Sequence, residues 1–240
     1  MSLFDVYPLF DVTPVRAKDV YVYDDKGTQY LDLYGGHAVI SIGHSHPVYV
    51  NALTNQLQKI GFYSNAVQNP LQTKLADRIE QVSGCKDYTL FMCSSGAEAN
   101  ENALKLASFH TNKATILAFD NSFHGRTSAA VAATDNPKIV APLNAQQQVR
   151  FLPLGNLELV EATLKSEPIC AIIIECIQGV GGLDESTTEF YKGLESLCHK
   201  YNTVLIADEV QSGFGRSGDF FAFQKHGLTP HIISLAKGMG

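Results

Sequence analysis

The sequence predicts an α/β fold with a mainly parallel β-sheet and helices on both of its faces. Apolar runs of strand length alternate with amphipathic runs of helix length over most of the 240 residues. Several apolar runs lead directly into polar and glycine residues, as strands do when their carboxyl ends carry a binding site. A hydrophobic fraction of 45% is enough for a core of this kind.

Composition narrows the classes of partner and the compartment. The net charge is −6 without long runs of either sign, which argues against nucleic acid or a membrane surface as the main partner. Charged residues make up only 18%, which favours surface buried between subunits. The five cysteines contain no CxxC pair, the N-terminus lacks a signal-peptide pattern, and no apolar stretch reaches membrane length. We therefore expect a cytoplasmic protein.

The N-terminal part is predicted to contain an arm, a hairpin and two helices. Two prolines within residues 1–16 favour an irregular arm. Residues 21–23 and 28–33 are predicted strands, because the Asp-Asp-Lys-Gly sequence between them is typical of a hairpin turn. Residues 48–60 and 71–82 have the apolar spacing of amphipathic helices.

Three histidines, His37, His44 and His46, lie within ten residues. A His-x-His pair can chelate a metal, but no Asp, Glu or Cys lies nearby in sequence to complete a site. We therefore favour a loop stiffened by glycines, with Pro47 in the first turn of the next helix, and we predict no metal site.

A strand–turn–helix motif follows. Residues 89–93 are predicted to form a buried strand that leads into a Ser-Ser-Gly-Ala turn at 94–97 and a helix reaching residue 110. The N–H groups and dipole of a helix start favour an anion, and Gly96 allows close approach of the backbone, so phosphate is a natural ligand. The alternative is a capping box formed by Ser95 and Glu98, and the motif alone does not separate the two.

The next predicted strand, residues 114–119, ends in Asn-Ser-Phe-His-Gly-Arg-Thr. Phe123 offers a face that could stack on a planar ring, and Arg126 offers a guanidinium that could bind a carboxylate through two hydrogen bonds. The alternative is a surface loop with a packed Phe and a solvated Arg.

Two further strands and two helices complete the middle of the chain. Residues 149–152 and 170–174 are the predicted strands, and residues 157–165 and 187–201 the predicted helices. Glu175 follows the second of these strands directly, at the edge of the sheet where ligands bind.

The last two predicted strands each deliver a charged side chain. Residues 203–207 lead to Asp208, and residues 232–236 lead to Lys237. A lysine partly removed from water has a lowered pKa and can form a Schiff base, and a carboxylate opposite it can hold a protonated pyridine nitrogen. These are the two parts that a pyridoxal 5'-phosphate (PLP) site needs. The alternative is a solvated lysine and an ordinary capping aspartate.

Taken together, these segments resemble the class III, ornithine-type aminotransferases, which are fold type I PLP enzymes. The resemblance rests on five segments that occur in family order: FMCSSGAEANENALKLA, NSFHGRT, IIIECIQG, VLIADEVQSGFGRSG and ISLAKGMG. It covers nearly the whole chain and is strongest to members that use acetylornithine or succinylornithine.

The resemblance implies roles for individual residues. Lys237 would be the catalytic lysine, which binds the cofactor and moves a proton. The implied cofactor-binding residues are Ser95, Gly96 and Ala97 at the phosphate, Phe123 stacked on the ring, Asp208 at the pyridine nitrogen, Val210 and Gln211 beside the ring, and Lys237. The implied substrate-binding residues are Arg126, at the α-carboxylate, and Glu175.

The implied activity is transfer of the δ-amino group of an N-acylated ornithine to 2-oxoglutarate in arginine biosynthesis, by a homodimer. Alternatives within the class are aminotransferases of ornithine, 4-aminobutyrate or other ω-amino acids, and glutamate-1-semialdehyde aminomutase. An alternative from another class is a catalytically incomplete scaffold with the same fold.

The resemblance also divides the chain and shows departures from the family. Residues 1–55 would be an N-terminal arm with a small-lobe segment, and residues 56–240 a large PLP-binding domain. Family members are considerably longer, so we expect the rest of the large domain and a small C-terminal lobe to lie outside this sequence. Val180 stands where the family usually has Glu, which bears on the handling of two substrates. Residues 36–41 also differ from the usual pattern in the loop over the substrate.

Overall fold

The computed structural model describes residues 1–239, which divide after Asn69 into two compact units. The expected functional division after residue 55 stays a prediction. Among the described residues, no helix combines the length and the apolar composition that crossing a lipid bilayer requires.

The first unit contains a three-stranded antiparallel sheet in the order β1-β2-β3, with β1 at Pro14–Lys18, β2 at Tyr21–Asp24 and β3 at Gln29–Leu31. The predicted hairpin is confirmed. The Asp24 carboxylate accepts hydrogen bonds from the N–H groups of Lys26 and Thr28, at 3.0 and 2.7 Å, and thereby closes the turn.

The prediction of an irregular arm through residue 16 was wrong at its end, because β1 begins at Pro14. Pro14 lacks an N–H group, but it lies at the start of the strand, where proline is tolerated. The strand forms because β2 offers it a free edge, with Ala17 opposite Val22. A strand partner of this kind cannot be read from the composition of the arm.

The helices of the first unit are α1 at Gly35–Ala38 and α2 at Pro47–Lys59. The second is the predicted amphipathic helix, with Pro47 in its first turn. None of its residues is buried.

The second unit is a five-stranded sheet in which every adjacent pair is parallel, in the order β5-β4-β6-β7-β8. Its strands are β4 at Thr115–Phe119, β5 at Val149–Leu152, β6 at Ile169–Ile174, β7 at Val204–Asp208 and β8 at Ile232–Ser234. Its helices are α3 at Pro70–Ser83, α4 at Gly96–Thr111, α5 at Ser128–Ala132, α6 at Leu157–Ser166 and α7 at Thr188–Tyr201. The predicted parallel α/β fold is confirmed.

Two buried clusters lie on opposite faces of this sheet. Phe119 of β4 belongs to the same cluster as Tyr191 of α7, and its neighbour Ala118 belongs to the same cluster as Leu104 of α4. Consecutive side chains of a strand point to opposite faces, so this division places helices on both sides of the sheet. All five residues of β7 are buried, as expected for a central strand covered twice.

The predicted strand at residues 89–93 was wrong. This segment is not a strand, and Phe91 is 72% exposed. A cavity of about 650 Å³ is lined both by this segment and by residues 231–235, which include β8. A ladder requires a neighbouring strand at about 4.8 Å, and an apolar run alone does not supply one.

Candidate active site

The predicted functional side chains of the second unit gather at one edge of the parallel sheet. Asp208 ends β7, Glu175 follows β6 directly, and Lys237 comes three residues after the last residue of β8. The segment after β4 carries Phe123 and Arg126. Because all five strands run parallel, their carboxyl ends share one edge, which is where open α/β sheets bind ligands.

Asp208 is buried at 4% exposure and is held by three hydrogen-bond donors. Its Oδ2 accepts from Asn100 Nδ2 at 2.7 Å and lies 2.8 Å from His124 Nδ1. Its Oδ1 accepts from the N–H of Val210 at 3.0 Å. These contacts fix the orientation of the carboxylate at the strand end.

Asn100 and His124 are site residues that the sequence reasoning did not assign. An ionised carboxylate only accepts hydrogen bonds, so His124 can hydrogen-bond to it through an Nδ1 that carries a proton. Asn100 also donates to the carbonyl oxygen of His124 at 2.7 Å, so the two residues are tied to each other as well. The sequence signal for Asn100 was a polar residue at a core-facing position of α4, where Ala103, Leu104 and Ala107 are also buried. The signal for His124 was an imidazole in the segment that follows β4 at the functional edge.

Glu175 is a second buried carboxylate at this edge, at 5% exposure. Its two oxygens accept from the N–H groups of Phe123, at 2.9 Å, and Gly179, at 3.1 Å. Burial raises the pKa of Glu175 to about 7, with His124 opposing the rise and the negative charge of Asp208 adding to it. Glu175 therefore links the segment after β4 to the loop after β6.

Lys237 is half-buried, and burial lowers its pKa, although the nearby carboxylates of Asp208 and Glu175 act in the opposite direction. The Asp208 and Glu175 carboxylates are thus close enough to Lys237 to act on its charge. The backbone of Lys237 has a φ of 45°, in the left-handed region that non-glycine residues rarely adopt. Such conformations cost on the order of 1–3 kcal/mol and are concentrated at functional sites.

The start of α4 shows the capping alternative in a modified form. Ser95 Oγ accepts from the N–H of Glu98 at 3.2 Å, and the Glu98 carboxylate accepts from the N–H of Ser94 at 2.6 Å, not from that of Ser95. Neither bond uses the N–H groups of Gly96 or Ala97. These groups have no partner within the helix, so capping and anion binding are compatible at this turn.

Gly96 is packed against the ends of two strands. A Cβ atom there would lie 2.6 Å from Cγ1 of Val210 and 3.2 Å from Cβ of Ala236. Only glycine allows this close approach, which brings the start of α4 to the turns that carry Asp208 and Lys237.

The segment after β4 is fastened to the same helix start. Gly125 has a φ of 138°, and a Cβ there would lie 2.7 Å from that of Ala97. Arg126 follows and is exposed. The Thr127 hydroxyl contacts the Ala97 carbonyl oxygen at 3.4 Å and the Glu101 carboxylate at 3.0 Å.

Gln211 reaches the loop after β6. Its side chain lies so close to Gly179 that an added Cβ would overlap Oε1, at 1.4 Å. Val210 and Gln211 therefore lie where the turn after β7 meets the start of α4 and the Glu175–Gly179 loop.

In the first unit, a residue of the histidine-rich segment contacts a carboxylate. His44 Nε2 lies 2.7 Å from Asp32 Oδ2, and this contact lowers the pKa of Asp32. Asp32 precedes His44 by twelve residues, and the fold brings the two side chains together. In the part of the chain that is described, no three His, Cys, Asp or Glu side chains form a group that could hold a metal ion.

The second unit therefore combines three chemical elements at one sheet edge. The start of α4 can bind an anion, Asp208 presents a fixed buried carboxylate, and Lys237 presents an amine whose pKa burial lowers.

The known proteins that this chain resembles in sequence are aminotransferases. The family described as "Aminotransferase class-III" matches residues 5–240. The chain is 39% identical over 240 residues to the acetylornithine aminotransferase of Bacillus subtilis (strain 168), covering 100% of this chain and 62% of the relative. It is 41% identical over 236 residues to the succinylornithine transaminase of Photorhabdus laumondii subsp. laumondii, covering 95% and 58%. The chain thus spans about six tenths of the length of the curated relatives it matches.

Solved structures share the fold. The ornithine aminotransferase from Toxoplasma gondii ME49 matches with a TM-score of 0.89 at 26% identity, over 97% of this chain and 57% of that one. The taurine:2-oxoglutarate aminotransferase from Bifidobacterium kashiwanohense, in complex with PLP and glutamate, matches with a TM-score of 0.90 at 25% identity, over 99% and 59%.

Proposed function

Because the chain belongs to the class III aminotransferase family, we propose that it forms the cofactor-binding part of a PLP-dependent transaminase. The reaction would move the δ-amino group of an N-acylated ornithine to 2-oxoglutarate, as a step of arginine biosynthesis. The names of the two bacterial relatives, an acetylornithine aminotransferase and a succinylornithine transaminase, support this substrate class. The observation that carries the proposal is the shared sheet edge of Lys237, Asp208 and the start of α4.

The residues present fit PLP. The N–H groups of Gly96 and Ala97 have no partner within α4 and can therefore bind a phosphate, and the buried Asp208 carboxylate has a fixed orientation. Burial lowers the pKa of Lys237, which favours the unprotonated, nucleophilic form of its amine. In this proposal the phosphate is held by Ser95, Gly96 and Ala97, the pyridine nitrogen by Asp208, the aldehyde by Lys237, and the ring by Phe123, Val210 and Gln211.

When bound, PLP supplies an electron sink that stabilises negative charge on the substrate carbon. The protein supplies the proton transfer and the orientation. With its pKa lowered by burial, Lys237 Nζ has a larger unprotonated fraction at neutral pH and can accept a proton as a general base. His124 and Asn100 keep the Asp208 carboxylate in one orientation, so no reorganisation is required during the reaction.

Arg126 is proposed to bind the substrate α-carboxylate. It is exposed at the same edge, and its planar guanidinium can form two parallel hydrogen bonds with a carboxylate. Glu175, which joins Phe123 to Gly179 through their N–H groups, would shape the neighbouring wall of the pocket.

Free ornithine is the second candidate substrate, because one of the similar solved structures is an ornithine aminotransferase. An assay with acetylornithine, succinylornithine and free ornithine as donors, each with 2-oxoglutarate, separates the candidates. Failure to turn over either acylated donor would refute the substrate assignment. Since Val180 replaces the usual acidic residue, the two half-reactions should be measured separately.

PLP binding can be tested independently of turnover. Protein incubated with PLP and then treated with borohydride should retain the cofactor on a peptide containing Lys237, as detected by mass spectrometry, whereas Lys237→Ala should retain none. Wild-type protein that takes up no PLP would favour the scaffold alternative.

We further propose a cytoplasmic homodimer. Large apolar side chains are exposed on α2 and α4, with Val48 at 71%, Leu57 at 67% and Phe109 at 79%, and such surface is typical of subunit interfaces. All five cysteines are free thiols, as in a reducing compartment. Light scattering that gives a monomer at micromolar concentration would contradict the dimer.

A further inference from the structure

We propose that Glu101 is a positioning residue that sets the place of Arg126 relative to the start of α4. This inference rests on the proposed function, in which Arg126 binds the substrate carboxylate and the helix start binds the cofactor phosphate. Glu101 contacts neither ligand in this proposal and acts through the backbone that carries Arg126.

The carboxylate of Glu101 reaches from α4 to the start of α5. It accepts from the N–H of Ala129 with both oxygens, at 3.0 and 2.9 Å, and from the N–H of Ala130 at 3.0 Å. It also accepts from the Thr127 hydroxyl at 3.0 Å. The first N–H groups of a helix have no partner within it, so the Glu101 side chain of α4 caps the start of α5. Hydrogen bonds to an ionised group are roughly twice as strong as neutral ones.

The other flank of Arg126 is fixed as well. Gly125 packs against Ala97 of α4, and the Thr134 hydroxyl accepts from the N–H of Gly125 at 3.3 Å and from that of His124 at 2.9 Å. Arg126 is therefore carried between two residues that both touch α4. Of the two, Gly125 is held by packing and by the neutral Thr134 hydroxyl, and Thr127 is held by a charged group.

Glu101 stands five residues after Gly96 on the same helix, which corresponds to roughly 7.5 Å along the helix axis. One rigid element thus carries the phosphate turn and the carboxylate that holds the Arg126 segment. Removing the carboxylate removes the hydrogen bonds between α4 and the start of α5, and it leaves the packing of Gly96 intact. The affinity for substrate carboxylates should therefore fall while the affinity for PLP is kept.

The test uses Glu101→Ala and Glu101→Gln, with Thr127→Val as a milder variant that removes one donor. Glu158→Gln is the matched control, because it neutralises an exposed carboxylate on α6. The dissociation constants of PLP, by absorbance titration, and of 2-oxoglutarate, by calorimetry on the PLP-loaded protein, are measured, together with KM and kcat. Thermal unfolding identifies any variant that does not fold, and the proposal is then tested with the variants that do fold.

We expect Glu101→Ala to weaken 2-oxoglutarate binding about 10-fold or more, with PLP affinity and kcat changed less than about threefold. Glu101→Gln should lie in between, because its single amide oxygen still accepts from part of the donor set. Parallel losses of PLP and 2-oxoglutarate affinity, or no loss of either, would overturn the proposal.

Arg126→Lys separates this inference from the proposed function. If Arg126→Lys weakens 2-oxoglutarate binding and the Glu101 variants do not, only the positioning role of Glu101 fails. If Arg126→Lys has no effect, the substrate role of Arg126 in the proposed function fails, and the role of Glu101 falls with it.

Discussion

Replacing Gly96 with Ala tests the packing that joins the start of α4 to the end of β7. The new Cβ would lie 2.6 Å from Cγ1 and 2.9 Å from Cγ2 of Val210. Carbon atoms in contact are normally separated by about 3.5–4.0 Å, so the helix start and Val210 must move apart by roughly 1 Å. Val210 has little freedom to yield, because it is β-branched and its N–H is bonded to Asp208.

The effect on stability should be small. Overpacking of this kind costs about 1–3 kcal/mol, and the change from Gly to Ala in a helix returns about 1 kcal/mol. The free energy of unfolding of Gly96→Ala should therefore fall by only about 0–2 kcal/mol.

Cofactor affinity should respond much more strongly, because the shift separates the proposed phosphate turn from Asp208. We expect the dissociation constant of PLP to rise about 10- to 100-fold, which corresponds to about 1.4–2.8 kcal/mol. The measurement is an absorbance titration of the cofactor-free protein, combined with urea unfolding to obtain the stability term.

The double variant Gly96→Ala with Val210→Ala serves as the rescue, because it removes both clashing methyl groups, and the next nearest atom is Cβ of Ala236 at 3.2 Å. The double-variant cycle should give a coupling energy of about 1 kcal/mol or more in PLP binding. Wild-type affinity in Gly96→Ala, or a double variant no better than Gly96→Ala, would refute the steric reasoning.

Two further predictions concern the buried carboxylates. Asn100→Asp would replace a donor by a carboxylate 2.7 Å from Asp208 Oδ2, so the pair must share a proton, and the free energy of unfolding of this variant relative to wild type should fall as pH rises above about 5. A constant difference across pH in urea unfolding would contradict this. The folded pKa of Glu175, about 7, lies above its ordinary value of 4.5, so its protonated form stabilises the fold below pH 4.5 and this contribution is lost as pH rises through 7. Glu175→Gln does not ionise, and its stability relative to wild type should therefore increase by up to about 3 kcal/mol between pH 4.5 and 8, whereas a decrease over that range would show that the sign is wrong.

The local sequence was sufficient to predict the strands and helices that have a clear apolar pattern. The strands β4 to β8 and the helices α6 and α7 follow from alternating apolar runs, because burial on both faces of a parallel sheet requires continuous apolar strands between amphipathic helices. Helix α5 was not predicted. The placement of Asp208 and Lys237 at strand ends also follows from the chain alone. Once the strands are parallel, both residues must lie at the same edge.

Contacts between distant residues were decided only by tertiary structure. Asn100 and His124 hold Asp208 from 108 and 84 residues away, and no local pattern shows that either residue contacts Asp208. No local pattern shows the contacts of Glu101 either, because its sequence position fits a solvated carboxylate on the surface of a helix equally well. The strand predictions failed for the same reason at two places. β1 was not predicted but pairs with β2, and residues 89–93 were predicted as a strand but have no strand partner.

The sequence by itself determined the fold class, the chain order of the five parallel strands and the chemical types brought to the sheet edge. Periodicity and strand direction are properties of short stretches, and each stretch carries its own signal. The tertiary structure alone decided which side chains orient Asp208, why Gly96 must be glycine, and how the Arg126 segment is fastened to α4. Those outcomes depend on the distances between elements, which are set by the packing of the whole sheet and its helices and are encoded in no single stretch.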